Sequence, residues 1–358
     1  MDAAQRLRIT DPRHVPIAQP NVFQRFGLSL INDERDLPFL GLMVRFVGVM
    51  FPFAAYLFMP GRFRWWLGGV YTALLFGFFF APCILMLHNT SHRVLFKPAY
   101  RLLNHVIPWV LCPFYGQPPE GYFGHHMGMH HPENNLEDDL STTMPYDRDK
   151  FFHFLRYWTL FMATTLVMLT RYLIRHGRKK LAYKAVIGEV SYWTLCAIGL
   201  RLNPLPTLIV FVIPFVMARF LMMWGNWGQH AFIDPSQPAN PLLNSITCIN
   251  VRYNQQAFND GYHIGHHVKA NRHWTDMPAD LEQNAEQYAR EGAVVFQGLD
   301  FFMVSLFLFL KRYDWLADHF VELRAEPRSR EQIIEFLKSR TRRVIRERQT
   351  EGLAAQAA

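Results

Sequence analysis

Asn259-Asp260-Gly261-Tyr262-His263-Ile264-Gly265-His266-His267 places three histidines within five residues. On a helix, His263 and His267 share a face and His266 lies beside it. Imidazole is a ligand for iron, zinc, copper and nickel, so three imidazoles converging here make a metal half-site. Two more clusters precede it. His88-Asn89-Thr90-Ser91-His92 is an i,i+4 pair. In His125-His126-Met127-Gly128-Met129-His130-His131, His126 and His130 repeat the i,i+4 spacing and His131 follows. Each pair alone is a weak signal. HxxxH, HxxxHH and HxxHH in that order, each at a hydrophobic boundary, is a strong one.

The set resembles the three histidine boxes of the membrane fatty acid desaturase and hydroxylase superfamily, over about residues 40–280. Asn259, Gly261, Tyr262, the HxxHH and Pro278 look like the desaturase branch, sphingolipid desaturases included. The first box is HxxxH, as in many acyl-lipid desaturases. The second is HxxxHH where HxxHH is the commoner form, which leaves His125 and His126 both open as its first ligand.

The totals suit that resemblance. Of 358 residues, 50% are hydrophobic and 15% aromatic, while charged residues are 18%, below the roughly 25% of soluble domains. A mean hydropathy near zero indicates apolar spans offset by long polar stretches. The net charge of +8 could suit nucleic acid, but no nucleic-acid motif is present. Anionic lipid or an acidic electron carrier is the better partner. Cys83, Cys112, Cys196 and Cys248 form no CxxC and read as small buried hydrophobes. No N-terminal signal peptide is visible, so any insertion signal is internal.

The expected fold is an all-α integral membrane protein: about four transmembrane helices in two hairpins, under a cytosolic, largely helical cap that holds a dimetal site. Residues 1–38 form a cytosolic arm, 39–280 the membrane domain and 281–358 a helical cytosolic or interfacial region. Within the arm, residues 22–31 suit an amphipathic surface helix. The first hairpin is 39–59 and 65–87, opened on its second limb by Trp65-Trp66. Residues 100–115 are apolar but interrupted, which fits an in-plane or re-entrant helix.

Three apolar stretches, 151–174, 184–202 and 206–225, lie between boxes two and three, yet an even number of crossings must separate boxes that share a site. Arg175, Arg178, Lys179, Lys180 and Lys184 would lie outside if 151–174 crossed, against the positive-inside rule. Residues 151–174 are therefore assigned to the interface, and 184–202 with 206–225 form the second hairpin. Residues 293–310 read as an interfacial or packed helix, and 320–350 as an amphipathic cytosolic helix.

The second hairpin ends in Asn226-Trp227-Gly228-Gln229-His230, which resembles the NxxxH after the fourth span of stearoyl-CoA desaturases, where the His is a ligand and the Asn reaches metal through water. The expected ligands are thus His88, His92, His126, His130, His131, His230, His263, His266 and His267, with Asn226 in water-mediated contact. Nine exceed the four that one zinc takes. Asp138, Asp139, Asp260 and Asp276 are candidates to hold the imidazole N–H groups.

The resemblance implies two irons, O2 as co-substrate, and a long-chain acyl lipid or acyl thioester in which two hydrogens are lost to leave a double bond. Oxygen insertion would give an alcohol instead, so a lipid, alkane or carotenoid hydroxylase or ketolase is the alternative. The long interval from His131 to His263 favours the desaturase. With no HPGG heme motif, the electron donor is expected to be a separate ferredoxin, rubredoxin or cytochrome b5 type protein. A histidine-rich metal transporter is the non-enzyme alternative, but it needs ligands near the bilayer midplane.

Overall fold

The structure, a computed structural model, describes residue 3 and residues 7–344. Helix α1 (Val22–Leu30) begins in a capping box, with Asn21 and Gln24 bonding each other's backbone N–H. Helix α2 (Leu37–Phe58) buries Phe39, Leu42, Phe46, Met50, Ala54 and Leu57, one stripe at helical spacing, while Val44, Val47 and Val49 face outward. Helix α3 (Trp65–His92) runs antiparallel to it, presents Trp65 and Trp66 at its start, and carries box one on its last turn.

Two further helices are long and apolar enough to cross a membrane: α6 (Lys179–Leu202) and α7 (Pro204–Gln229), which with α2 and α3 make four among the described residues. Their outward faces show Val190, Leu195, Ile198, Val216 and Met217, as expected of surfaces that meet lipid tails. Residues 98–115 form an irregular helical stretch of 3-10 and π turns whose Ile107, Leu111, Cys112 and Tyr115 pack into the bundle core.

Helix α5 (Phe151–Arg175) is not among the four spans, and its contacts explain where it goes. Near its start, Phe154 and Tyr157 pack on Met223 and Trp227, at the histidine end of α7. Near its end, Leu169, Tyr172 and Leu173 pack on Met129 of box two, and Arg178 just beyond donates to the carbonyl of Gly128. Both ends of α5 therefore lie at the histidine end of the bundle, and the helix crosses that end instead of running alongside the spans. The chain descends in α6, turns at Asn203-Pro204 and returns in α7. Two crossings thus separate box two from box three.

Beyond α7, the strands β1 (Ile246–Ile249) and β2 (Val294–Gln297) pair in parallel, Ile246 opposite Val294. They sit behind box three: the Cys248 amide donates to the Gly261 carbonyl at 2.7 Å. Helix α8 (His263–Val268) carries the box. Helix α9 (Phe301–Phe309) packs on α7, with Phe309 against Trp224 and Trp227.

The amphipathic helix expected over 320–350 is shorter in the structure. Among the described residues it is α10 (Arg330–Arg340), started by a Ser329–Gln332 capping box after Pro327; residues 345–350 lie outside the described residues. Pro327 lacks the N–H an uninterrupted helix would need. The described residues near both termini pack against the centre of the fold. Asp11 accepts from Tyr262 at 2.6 Å, and Asn259 donates to the Pro12 carbonyl at 2.7 Å. Buried Arg148 donates to the carbonyls of Ala231, Arg340 and Arg342, clasping the segment that follows His230.

Candidate metal centre

Nine histidines converge into two groups, each with ligand atoms within 4.8 Å of one another: His88, His92, His126, His131 and His266 in one, His130, His230, His263 and His267 in the other. These are the nine candidates from the sequence, now divided.

The division follows from local helix geometry. In α8, His263 and His267 lie one turn apart and both enter the group of four, while His266 faces the other group. In box two, helix α4 (Gly121–His125) passes into a π turn, His126–His130, and the His131 amide donates to the His126 carbonyl five residues back. The wider turn brings His126 and His131 onto one face, into the group of five, and sends His130 to the group of four. The sequence spacing paired His126 with His130; the π turn separates them. The extra residue of HxxxHH over HxxHH is the one a π turn absorbs.

Within each group the ring nitrogens face one another. The His88 and His266 Nε2 atoms are 2.9 Å apart, as are those of His92 and His126, and of His131 and His266. His230 and His263 approach to 3.2 Å and His263 and His267 to 3.0 Å. Such crowding of acceptors calls for a shared cation. Two rings have fixed tautomers that suit one. The His230 Nδ1–H donates to the Asn244 carbonyl at 2.7 Å, and the His130 Nδ1–H donates to Asp139 at 2.7 Å, so both Nε2 lone pairs point inward.

Burial, reinforced by the neighbouring imidazoles, lowers the pKa of His126, His263, His266 and His267 well below the ordinary value, and brings His131 to about 2 and His230 to about 3. Neutral imidazole is the form that ligates a metal. For Asp139, burial raises the pKa, but His130 and the Ser141 hydroxyl outweigh it and hold the carboxylate ionised.

The four candidate supporting carboxylates part company. Asp139 is buried on His130 and accepts from the Ser141 amide and hydroxyl at 2.8 and 2.6 Å. Asp260 lies 3.6 Å from the His88 Nδ1 and accepts from Tyr253 at 2.9 Å and Gln229 at 3.3 Å. Asp138 is exposed, and Asp276 pairs with Arg35 at 2.9 Å, away from the imidazoles. Asn226 donates to the Ser141 carbonyl at 2.9 Å and to Tyr157 at 2.8 Å, so it braces the loop that carries Asp139. His125 enters neither group; its ring stacks parallel to His130, and burial lowers its pKa to about 4. Asp33, Asp36 and His273 also cluster, but Arg35 and Arg93 neutralise the two carboxylates. Ser141, Asn244, Tyr253 and Arg148 carry no local signature in the sequence; only the fold brings them to the centre.

Beneath the two groups a cavity of about 160 Å³ runs between the helices, with His88, His126, His130 and His263 at one end and Ile84, Leu221 and Met222 along its walls. Two all-histidine groups, each able to hold a metal ion, lie over a largely apolar cavity in a bundle of helices long enough to cross a membrane, an arrangement that suits a membrane-bound oxidoreductase. The family comparison agrees: residues 64–299 match the fatty acid desaturase family model, about two thirds of the chain, and the protein belongs to that family. No curated protein and no solved structure matched.

Proposed function

We propose that this protein is an O2-dependent desaturase that inserts a double bond into a long acyl chain of a lipid or acyl thioester, with two irons held by the nine histidines. The observation that carries the reading is the division of nine imidazoles into two metal-sized groups at the end of one apolar cavity. Five and four nitrogen donors fit two six-coordinate irons with positions left over, and the group of five exceeds the four that a structural zinc takes. Two irons there would activate O2 with two electrons supplied from outside.

The chain's own residues supply the rest. Asp139 and the Asn244 carbonyl fix the rings of His130 and His230, with Asp260 beside His88, so these imidazoles would hold a metal in one place. The apolar walls exclude water and hold the methylene chain against the histidine end. A separate electron donor binds on the same face, which we assign to the cytoplasm because Arg175, Arg178, Lys179, Lys180 and Lys184 lie at the histidine end. A metal transporter would place its ligands at mid-span, whereas these lie at the ends of α3 and α7.

Lipid profiling by mass spectrometry of a host expressing the chain tests the proposal, with His266→Ala as control. A lipid lacking two hydrogens, absent from the control, is the expected result. A product that has gained oxygen would establish the hydroxylase instead.

A further inference from the structure

The cavity is not apolar throughout. Glu189 on α6 and Arg219 on α7 both line it, with side chains only 9% and 13% exposed, on two helices long and apolar enough to cross a membrane. Glu189 is fully engaged: its two oxygens accept from Arg219 Nη2 at 3.0 and 2.9 Å, and one also accepts from Trp193 Nε1 at 3.1 Å. Arg219 is not. Its guanidinium lies over the Phe215 ring, 4.2 Å from the centroid, and its Nε and Nη1 donate to no group among the described residues. Gln117 also lines the cavity; its amide nitrogen contacts the Met222 sulfur at 2.6 Å, and its oxygen has no donor among the described residues. His125, on the same wall, has a buried Nε2 without a partner.

A cavity built only for a hydrocarbon chain has no use for guanidinium donors and an amide acceptor in its wall. Leaving them unsatisfied is unfavourable in a low-dielectric interior. Glu189 already neutralises Arg219, so a carboxylate or phosphate would bring an uncompensated charge. A neutral group that both accepts and donates matches what is left.

We infer that this cavity takes a lipid bearing a hydroxyl group on the chain, which accepts from Arg219 and donates to Gln117. The inference rests on the oxidase reading above and adds the substrate class. Arg219 precedes His230 by 11 residues (230 minus 219), about 16 Å along the helix axis. The hydroxyl is therefore a recognition handle held away from the histidine groups, and not the group that reacts.

The test is competition. Host cells expressing the protein are fed an unsubstituted long-chain fatty acid together with a series bearing one hydroxyl at successive chain positions, and the product ratios are read by mass spectrometry. Separately, the same compounds are added to the purified protein and its melting temperature is followed, since a ligand that binds the folded state raises it. We expect at least one hydroxylated acid to be oxidised in preference to the plain one by about tenfold or more, because a site built to bond a hydroxyl discriminates strongly against its absence. In the double variant Glu189→Leu/Arg219→Leu the ratio should move toward one. Should that variant fail to accumulate, Gln117→Leu replaces it, and an unchanged ratio there overturns the inference. Wild-type oxidation with no preference for any hydroxylated acid also overturns it and leaves the oxidase reading standing. Stabilisation by a hydroxylated acid with no oxidation of any lipid would support the binding site and count against the oxidase reading. Neither stabilisation nor preference, as when water alone fills the site, overturns the inference.

Discussion

Deleting Met127 should leave the metal centre intact, although it removes a residue from the middle of a histidine box. In a regular α-helix a one-residue deletion rotates everything beyond it by about 100° and shifts it by about 1.5 Å, enough to pull His130 and His131 out of both groups. Box two is not a regular helix at this point. The His131 amide reaches the His126 carbonyl across five residues, so one residue of the turn is already surplus to an α-helical path. Removing Met127 lets that bond close across four residues, with Gly128, Met129, His130 and His131 staying on their present contacts. The regular turn gains about 0.5–1.5 kcal/mol in backbone hydrogen bonding. The loss is one partly exposed side chain, so we expect net stability within about 1 kcal/mol of wild type. The assay is metal content per chain after iron-supplemented expression, with product formation at matched membrane abundance. Inserting an alanine after Met127 is the counter-experiment: the spacing becomes six, no helical turn absorbs it, and the group of five should lose His126. Normal abundance with metal content as low as that of His126→Ala, in the deletion variant, would refute the reasoning.

His230→Ala should give no detectable product at normal membrane abundance, because it removes one of only four donors from its group; substantial activity would remove His230 from the ligand set. Asp139→Asn should weaken metal retention by about 10–100-fold through the His130 ring, while Asp138→Asn, on an exposed side chain, should match wild type under the same chelator challenge. Gly188→Ala should lower abundance or activity sharply, since a methyl there overlaps the Pro119 backbone at the entry to box two, and a displacement on the order of 1 Å can cost ~10²-fold in rate. Cysteine labelling should reach Leu205 from outside the cell and Lys179 only from within; labelling of Lys179 from outside would show that α5 crosses the membrane.

The histidines were readable because helical periodicity is a local property. A ligand pair one turn apart, such as His88–His92 or His263–His267, looks the same in the sequence as it does on the helix, and three histidine clusters at the ends of apolar runs point to one shared metal centre at a membrane face. The partition into five and four was not readable. It turns on whether the chain between His126 and His131 closes after four residues or five, and one-residue differences in a hydrogen-bond pattern leave no mark on composition. Nor could the sequence separate Asp138 from Asp139. Neighbouring positions face different ways, and which of them meets His130 depends on the turn after Asn134 and Asn135, both in the left-handed region. The ring of His230 is oriented by a backbone carbonyl, Asn244, so no side chain advertises it.

The path of the chain was readable for a different reason: it is constrained by parity. Boxes that share metals must lie at one end of the bundle, so the three apolar stretches between boxes two and three had to include one that does not cross. Hydropathy alone pointed the wrong way, because 151–174 reads as a better span than 184–202, which carries Glu189. The charge run from Arg175 to Lys184 pointed to the answer, and contacts in the fold agree with it. Phe154 meets Trp227 at one end of α5 and Leu173 packs beside Met129 at the other, so both ends lie beside the histidines. Helix α5 also supplies Phe161, Thr165 and Leu169 to the cavity wall. A helix laid across the metal end can roof the chain-binding cavity, which a fifth span parallel to the others could not do. The placement that topology requires is therefore also the one that encloses the site.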